Sequence, residues 1–439
     1  MTEREQLERL VQAVYDGDPN REWERAERHR TEFAVTQMVL DAHLPPPPAR
    51  VLDCGGGPGR YAIYLARRGY QVTLFDLSPE LLNRARQQAQ ETGVRLSGIQ
   101  QGTATDLSRF NTAQFDAVLL LGPLYHLLEA TDRQLALSEA YRVVKPGGRV
   151  FAAFITRYAA HIDAVARYPK RAADMPALYR QIATAGRLSP RNEGSAGFIA
   201  YFAHPDEVVP LCRAVGLEVL EVLGVEGVAA GREKLVNALT GEAWDFWVET
   251  NYSIAQDPSS HGGAEHLLAV CCRPQWRATL RYIAEELESL ELDYRVVGGA
   301  SLALRGLPVS VHDLDLEMTE VSAAYRFQER FATTTAQPVA WRETERVRSH
   351  YGRFEIRGMQ VEVMGGLTRR IGARWVPSFL STHEVVKLEG ASVSVLALEE
   401  EMLAYLRRGR LDRAALALQA CDADRLLSYL AEAHARHML

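Results

Sequence analysis

The sequence predicts an α/β fold class built in two parts, and three observations predict it. Residues 49–156 alternate short apolar runs with amphipathic stretches, the pattern of a parallel sheet with right-handed crossovers. Between Val51 and Asp76 a strand, a glycine turn, a helix and a second strand closed by a carboxylate follow one another. A further strand ending in the glycine pair Gly298-Gly299 opens a second α/β unit after Pro274.

The elements follow in order. Leu7, Leu10, Val11 and Val14 recur at helical spacing, and the helical pattern of residues 1–44 stops at Pro45-Pro46-Pro47-Pro48, so residues 1–48 read as a helical cap on a rigid link. Residues 49–53 are a buried parallel strand. Gly55, Gly57 and Gly59 turn the chain, a helix runs over about Arg60–Arg68, and Val72–Asp76 is the next strand. From about 157 to 202 the chain is polar and irregular, with Pro169, Pro176, Gly186, Pro190, Gly194 and Gly197, and 157–204 reads as a lid or substrate wall. His204-Pro205 opens a helix to about Ala214, Gly216 caps it, and Leu217–Val225 alternates like a strand. His266–Arg273 is the last strand, which bounds the first domain at 49–273. The second domain, 275–439, begins with an amphipathic helix over Gln275–Leu290. A strand from Tyr294, a helix near Leu302–Arg305, strands through Asp313 and Glu362 and a helical tail over Leu398–Leu439 follow.

The glycine turn predicts a nucleoside-bearing ligand. Its glycines let the backbone come close to a ligand, and Asp76 falls roughly 20 residues on, where an acidic side chain accepts from ribose hydroxyls. The spacing Asp53-x-Gly55-x-Gly57-x-Gly59 is neither the dinucleotide fingerprint nor a P-loop. With Pro58 it resembles motif I of the class I S-adenosylmethionine-dependent methyltransferases. The resemblance continues through Gly102–Leu107, Phe115–His126 and Arg142–Arg149. It implies a Rossmann-like methyltransferase sheet under the helical cap. It further implies that Asp53, Gly55, Gly57, Gly59, Asp76 and Leu77 hold the cofactor, with Asp106 and Leu107 near the adenine and Leu121 in the loop facing the methyl group. The cap closes over the cofactor in this family, which places Tyr15 over the methyl region and Arg30 at the methionine carboxylate. Tyr125 and His126 follow strand four, where open sheets place their ligands, and His126 has the intrinsic pKa of a general base. The alternative for both is packing of the loop. His161 and His204 are secondary base candidates. The methyl acceptor is expected to be the N or O of a small molecule.

In the second half Asp313 and Asp315 lie one residue apart on an apolar strand, so both carboxylates project from one face. Such a pair is suited to the Mg²⁺ ions of nucleotidyl transfer. Gly298, Gly299 and Ser301 at the strand-to-helix turn offer a nucleoside triphosphate their donors, and Glu362 is a third carboxylate. This set resembles the minimal nucleotidyltransferases of the DNA polymerase beta superfamily, most of all the antibiotic nucleotidyltransferases. Two departures stand out: Val309-Ser310-Val311-His312 replaces the arginine and threonine common before Asp-x-Asp, and Glu362 replaces the more usual aspartate.

Bulk properties set bounds on partners. No apolar run reaches the roughly 18 residues of a membrane span, and the charged start Met1–Glu8 does not read as a secretory signal. Five cysteines without a C-x-x-C pair suit a reducing, cytoplasmic setting and argue against zinc. A net charge of −6 gives no general pull toward a phosphate backbone. Two rival readings stay open: an RNA-modifying enzyme whose second domain grips a tRNA end, and a second domain that only regulates or joins copies into a homo-oligomer.

Overall fold

The computed structural model describes residues 2–189, 198–378 and 383–435. They form two compact units, Met1–Pro274 and Gln275–Leu439.

The first unit begins with four helices, α1 (Glu3–Asp16), α2 (Pro19–Trp23), α3 (Arg25–Arg28) and α4 (Arg30–His43). The sheet follows with β1 (Arg50–Cys54), α5 (Arg60–Arg67), β2 (Gln71–Asp76), α6 (Pro79–Glu91), β3 (Gly98–Gln101), β4 (Phe115–Leu120), α7 (Ala130–Val143) and β5 (Val144–Thr156). A short hairpin of β6 (Arg187–Leu188) and β7 (Ala200–Ala203) precedes β8 (Glu218–Gly224) and β9 (His266–Cys272). The first five strands pair in parallel in the order β3-β2-β1-β4-β5; β9 then runs antiparallel between β5 and β8.

Both faces of this sheet are covered, which is why its strands are apolar throughout rather than alternating. Leu52, Phe75, Val118, Ala152 and Leu267 pack on one side with α7; Val51, Leu74, Leu119, Phe151 and Leu268 pack on the other. Val35, Val39 and Leu40 of α4 belong to the second core. The cap is therefore divided. Its last helix is a structural layer of the sheet, and α1 to α3 stand over the sheet's carboxyl edge beside the glycine turn.

The stretch 157–204 is not irregular where it is described. It contains helices Ala159–Arg167, Pro169–Ala173 and Pro176–Ala185. The prolines read as breakers stand at the first positions of two of these helices, where a missing N–H costs nothing and the fixed φ favours the helix. Pro190, Gly194 and Gly197, also counted toward a lid, lie outside the described residues.

The second unit is an eight-stranded sheet with helices. Its strands are β10 (Tyr294–Val297), β11 (Asp313–Met318), β12 (Thr335–Glu343), β13 (Val347–Ile356), β14 (Met359–Ile371), β15 (Arg374–Pro377), β16 (His383–Leu388) and β17 (Ala391–Leu396), ordered β12-β13-β14-β11-β10-β17-β16, with β15 on β14. The core is closed by the helices Gln275–Ser289 and Val321–Arg330. The tail is three helices, Leu398–Arg407, Leu411–Ala420 and Ala423–Ala435, rather than one run. The parallel register sets Asp315 opposite Glu362, with Asp313 two residues away on the same face of β11.

Candidate functional site

The first unit carries a cavity of about 400 Å³ at the carboxyl ends of β1, β2 and β4, the place where open α/β sheets bind ligands. Gly55 to Gly57, Asp53, Asp76, Leu77, Leu121 and Tyr125 line it from the sheet, and Tyr15, Arg25 and Glu32 line it from the cap. Gly55, Gly57 and Gly59 all adopt positive φ, and Gly59 starts α5. A side chain at Gly56 would meet the Asp53 carboxyl carbon at 2.4 Å, so the turn folds directly over that carboxylate.

Asp53 is fully buried, with no cation beside it within the protein and only the Ala62 backbone N–H turned toward its carboxylate among the described residues. Burial, reinforced by Asp76, lifts its pKa to about 7. Asp76 accepts the Gly57 N–H at 2.8 Å and the Ser78 N–H at 2.8 Å. Burial still raises it to about 6 against those amides. Two neighbouring buried carboxylates with no cation of the protein beside them suit a cationic ligand.

The structure brings some predicted residues together and separates others. Asp53, Gly55, Gly57, Asp76, Leu77, Leu121, Tyr15, Tyr125 and His126 all border the cavity. Gly59 does not line it and serves to turn the chain into α5. Asp106 is exposed and accepts the Ser108 N–H at 3.0 Å, so its placement at an adenine is not met. Leu107 is fully buried in the core with its N–H on Glu139. In their place Gly102, Thr103 and Ala104, a few residues upstream, form that wall. Arg30 points away from the cavity: it donates to the Asn237 carbonyl at 2.7 Å and lies 4.0 Å from the Trp244 ring.

His126 is not free to act as a base. Its Nδ1 donates to the Ile199 carbonyl at 2.7 Å, so Nε2 keeps the lone pair and accepts the Tyr15 hydroxyl at 2.6 Å. Burial pushes its pKa down to about 4. His161 and His204 do not line the cavity.

Four charged residues that the sequence reading gave no role meet at the cavity's far side. Arg25 binds both oxygens of Glu32, at 3.0 and 2.8 Å. Burial opposes the charge of Glu32, yet Arg25, His266 and His29 hold its pKa at about 2. His266 opens β9 and donates its backbone N–H to Glu226 at 2.8 Å; its Nδ1 meets the other Glu226 oxygen. Burial opposes the charge of His266 as well, and Glu226 with Glu32 raises its pKa to about 9. A histidine at the head of the otherwise apolar run Leu267–Cys272 was the signal available in the sequence.

In the second unit, burial lifts Asp315 to about 7, with Asp313 and Glu362 adding repulsion. Among the described residues, however, the oxygens of Asp313, Asp315 and Glu362 do not gather within 4.8 Å of one another. The glycine turn is occupied. Gly298 has φ +75°, its N–H donates to Glu401 at 2.7 Å, and a side chain there would meet Asp315 at 2.6 Å. The Ser301 hydroxyl is buried and accepts from Arg305 at 2.7 Å. The Gly298 amide is thus not a free donor for a triphosphate, Ser301 is buried beside Arg305, and Gly299 follows in the first turn of the helix Gly298–Leu304.

Residues 52–152 match the family model described as a methyltransferase domain, and residues 279–418 match that described as aminoglycoside-2''-adenylyltransferase. This chain joins a methyltransferase domain to a nucleotidyltransferase-like domain. The ubiquinone biosynthesis O-methyltransferase of Xanthomonas axonopodis pv. citri is 35% identical to the methyltransferase part over 141 residues, 31% of this chain and 57% of that protein. The same-named protein of Xylella fastidiosa is 36% identical over 138 residues, 31% of this chain and 54% of that protein. The chain therefore spans little more than half the length of these curated relatives. Among solved structures, a putative nucleotidyltransferase from Thermotoga maritima is 32% identical, covering 36% of this chain and 95% of its own, with a TM-score of 0.30. An S-adenosylmethionine-dependent methyltransferase from Methanosarcina mazei is 17% identical, covering 54% and 97%, with a TM-score of 0.38. No helix among the described residues is long and apolar enough to cross a membrane.

Proposed function

We propose that the methyltransferase unit transfers a methyl group from S-adenosylmethionine to the N or O of a small molecule. The observation that carries this reading is the buried Asp53 carboxylate, with no cation of the protein beside it, next to Asp76 under the glycine turn and opening on one cavity. The cofactor's α-ammonium is a cation that would satisfy Asp53. Asp76 would take the ribose hydroxyls, and Leu77, Thr103 and Ala104 would wall the adenine. When bound, the cofactor supplies a methyl group already activated on a sulfonium, so the protein has only to exclude water, orient the acceptor and remove its proton. Tyr15, Tyr125 and His126 form the aromatic side of the acceptor space. The O-methyltransferase names of the curated relatives support a small-molecule acceptor. Calorimetry with S-adenosylmethionine tests the reading: saturable binding that Asp76→Ala weakens is expected, and Asp76→Ala binding like the wild type would sink it.

For the nucleotidyltransferase-like unit the occupied Gly298 amide and the burial of Ser301 favour a recognition or regulatory role without transfer. Incubation with α-labelled nucleoside triphosphates and Mg²⁺ is expected to leave metabolite extract and RNA unlabelled. Label in either would overturn this second reading.

A further inference from the structure

We infer that the methyl acceptor is an acidic hydroxyl on an aromatic ring, held as its oxide between Arg25 and His266, and that His266, positioned by Glu226, is the base whose protonated ring holds that oxide. This rests on the methyl-transfer reading above and names its acceptor and base.

The geometry starts from Glu226, a fully buried carboxylate that follows β8. One of its oxygens holds the His266 backbone N–H at 2.8 Å and the other holds Nδ1, so the ring cannot turn and Nδ1 keeps its proton. Nε2 is left as the exchanging atom, in a residue that lines the cavity. Its polar neighbour is Arg25 Nη2 at 3.4 Å. A guanidinium only donates, and this contact is longer than an ordinary N–H···N bond, so the two nitrogens leave a place for an atom that accepts from one and exchanges a proton with the other. A hydroxyl does both. A protonated amine would set a second cation against Arg25.

The surroundings select the kind of hydroxyl. The Tyr125 ring lies 6.4 Å from the His266 ring, and Tyr15 and Phe198 meet His126 edge-on at 5.4 and 5.6 Å, walls suited to a flat aromatic body. The charged groups facing His266 are Glu226 beyond β8, Glu32 of α4 and Arg25 of α3, with Tyr125 as the neutral neighbour; the two carboxylates favour the protonated ring. A base lifted to about 9 is close to the ordinary phenol value of about 10, whereas an aliphatic hydroxyl lies far out of its range. Whether the proton crosses before or after binding, the bound pair is an aryl oxide between an imidazolium and a guanidinium. Glu32, Glu226 and His266 also offer three atoms within 4.8 Å of one another, but Arg25 already spans both Glu32 oxygens and supplies the positive charge there.

The step balances. The oxide lone pair forms the new O–CH₃ bond as the S–CH₃ bond breaks, the bonding pair passes to sulfur and neutralises the sulfonium, and the hydroxyl proton has gone to His266 Nε2 where the ring was neutral and to water where the ring already carried one.

The test uses the full chain saturated with S-adenosylhomocysteine and reads the absorbance of para-hydroxybenzaldehyde, whose ionised form has its own band. At a pH about one unit below the probe's own pKa, the bound probe is expected to be mainly ionised, and His266→Asn is expected to cut the bound ionised fraction about tenfold. Glu226→Gln should give a smaller loss, and both variants should keep S-adenosylhomocysteine affinity. If His266→Asn loses that affinity through misfolding, Glu226→Gln decides alone. A probe that does not bind, binds only as the neutral phenol, ionises equally in the variants or binds only with added Mn²⁺ overturns the proposal. Failure of the wild type to bind S-adenosylhomocysteine is a separate result and removes the methyl-transfer reading beneath it.

Discussion

The two units treat buried carboxylates in opposite ways. In the methyltransferase unit Asp53 is buried with no cation of the protein beside it and opens on a cavity, so part of its hydrogen-bonding capacity is left unused. In the nucleotidyltransferase-like unit Glu401 takes the Gly298 amide, and Glu317 and Glu400 share the Arg369 guanidinium at 3.5 and 3.7 Å. The same chemistry, a buried acid next to a glycine turn, thus faces an open cavity in one unit and serves internal cohesion in the other. An unmet charge costs stability and persists where a ligand offsets it; a met charge holds the fold and leaves less for a guest.

The largest effect that would break this comparison is on stability. Arg369→Ala strands Glu317 in the interior and takes one cation from Glu400, and is expected to destabilise the second unit by about 3–5 kcal/mol in urea denaturation. A loss below about 1 kcal/mol would mean that the pair is not serving these acids.

The next effect sharpens the other half. Asp53→Asn keeps the shape and removes the charge, so S-adenosylhomocysteine affinity should fall about 100-fold by calorimetry, the loss of one charge-assisted contact. The pH dependence has a definite sign. Because burial raises Asp53 to about 7, the ligand-free unit holds a proton there at lower pH that an ammonium must displace. Wild-type affinity should therefore rise about tenfold per unit up to pH 7 and then level off, and the Asn variant should show a flat profile. A flat wild-type profile would contradict the placement of the ammonium.

The smallest effect separates architecture from binding inside the cap. Arg30→Ala loses a carbonyl contact and a stacked indole, which should cost about 1–2 kcal/mol of stability with cofactor affinity unchanged. A matching fall in affinity would return Arg30 to the site.

The glycine turn, the parallel strands around it and the position of Asp76 were legible because they depend on local spacing, in which glycine spacing sets the turn and the apolar runs set buried strands. Pro169 and Pro176 were misread because the same residue ends one helix and starts another, and the difference lies in the neighbours that accept the turn. Arg30 was singled out from a charge-rich stretch that reads as one helix, and only the break between α3 and α4 and their packing decide that Arg25 faces the cavity and Arg30 does not. Asp106 was two residues past the wall that Thr103 and Ala104 form, a distance that spacing does not resolve.

By itself the sequence determined the class of each unit and the kind of cofactor the first one suits, since periodicity and glycine turns are properties of neighbouring residues. Only the tertiary structure decided what His266 is, because Arg25, Glu32 and Glu226 reach it from three distant segments. It also decided that His126 is bound on both nitrogens and that Glu401 occupies the Gly298 amide. A side chain's charge and free lone pairs depend on partners brought together by folding, and such partners leave no periodic trace along the chain.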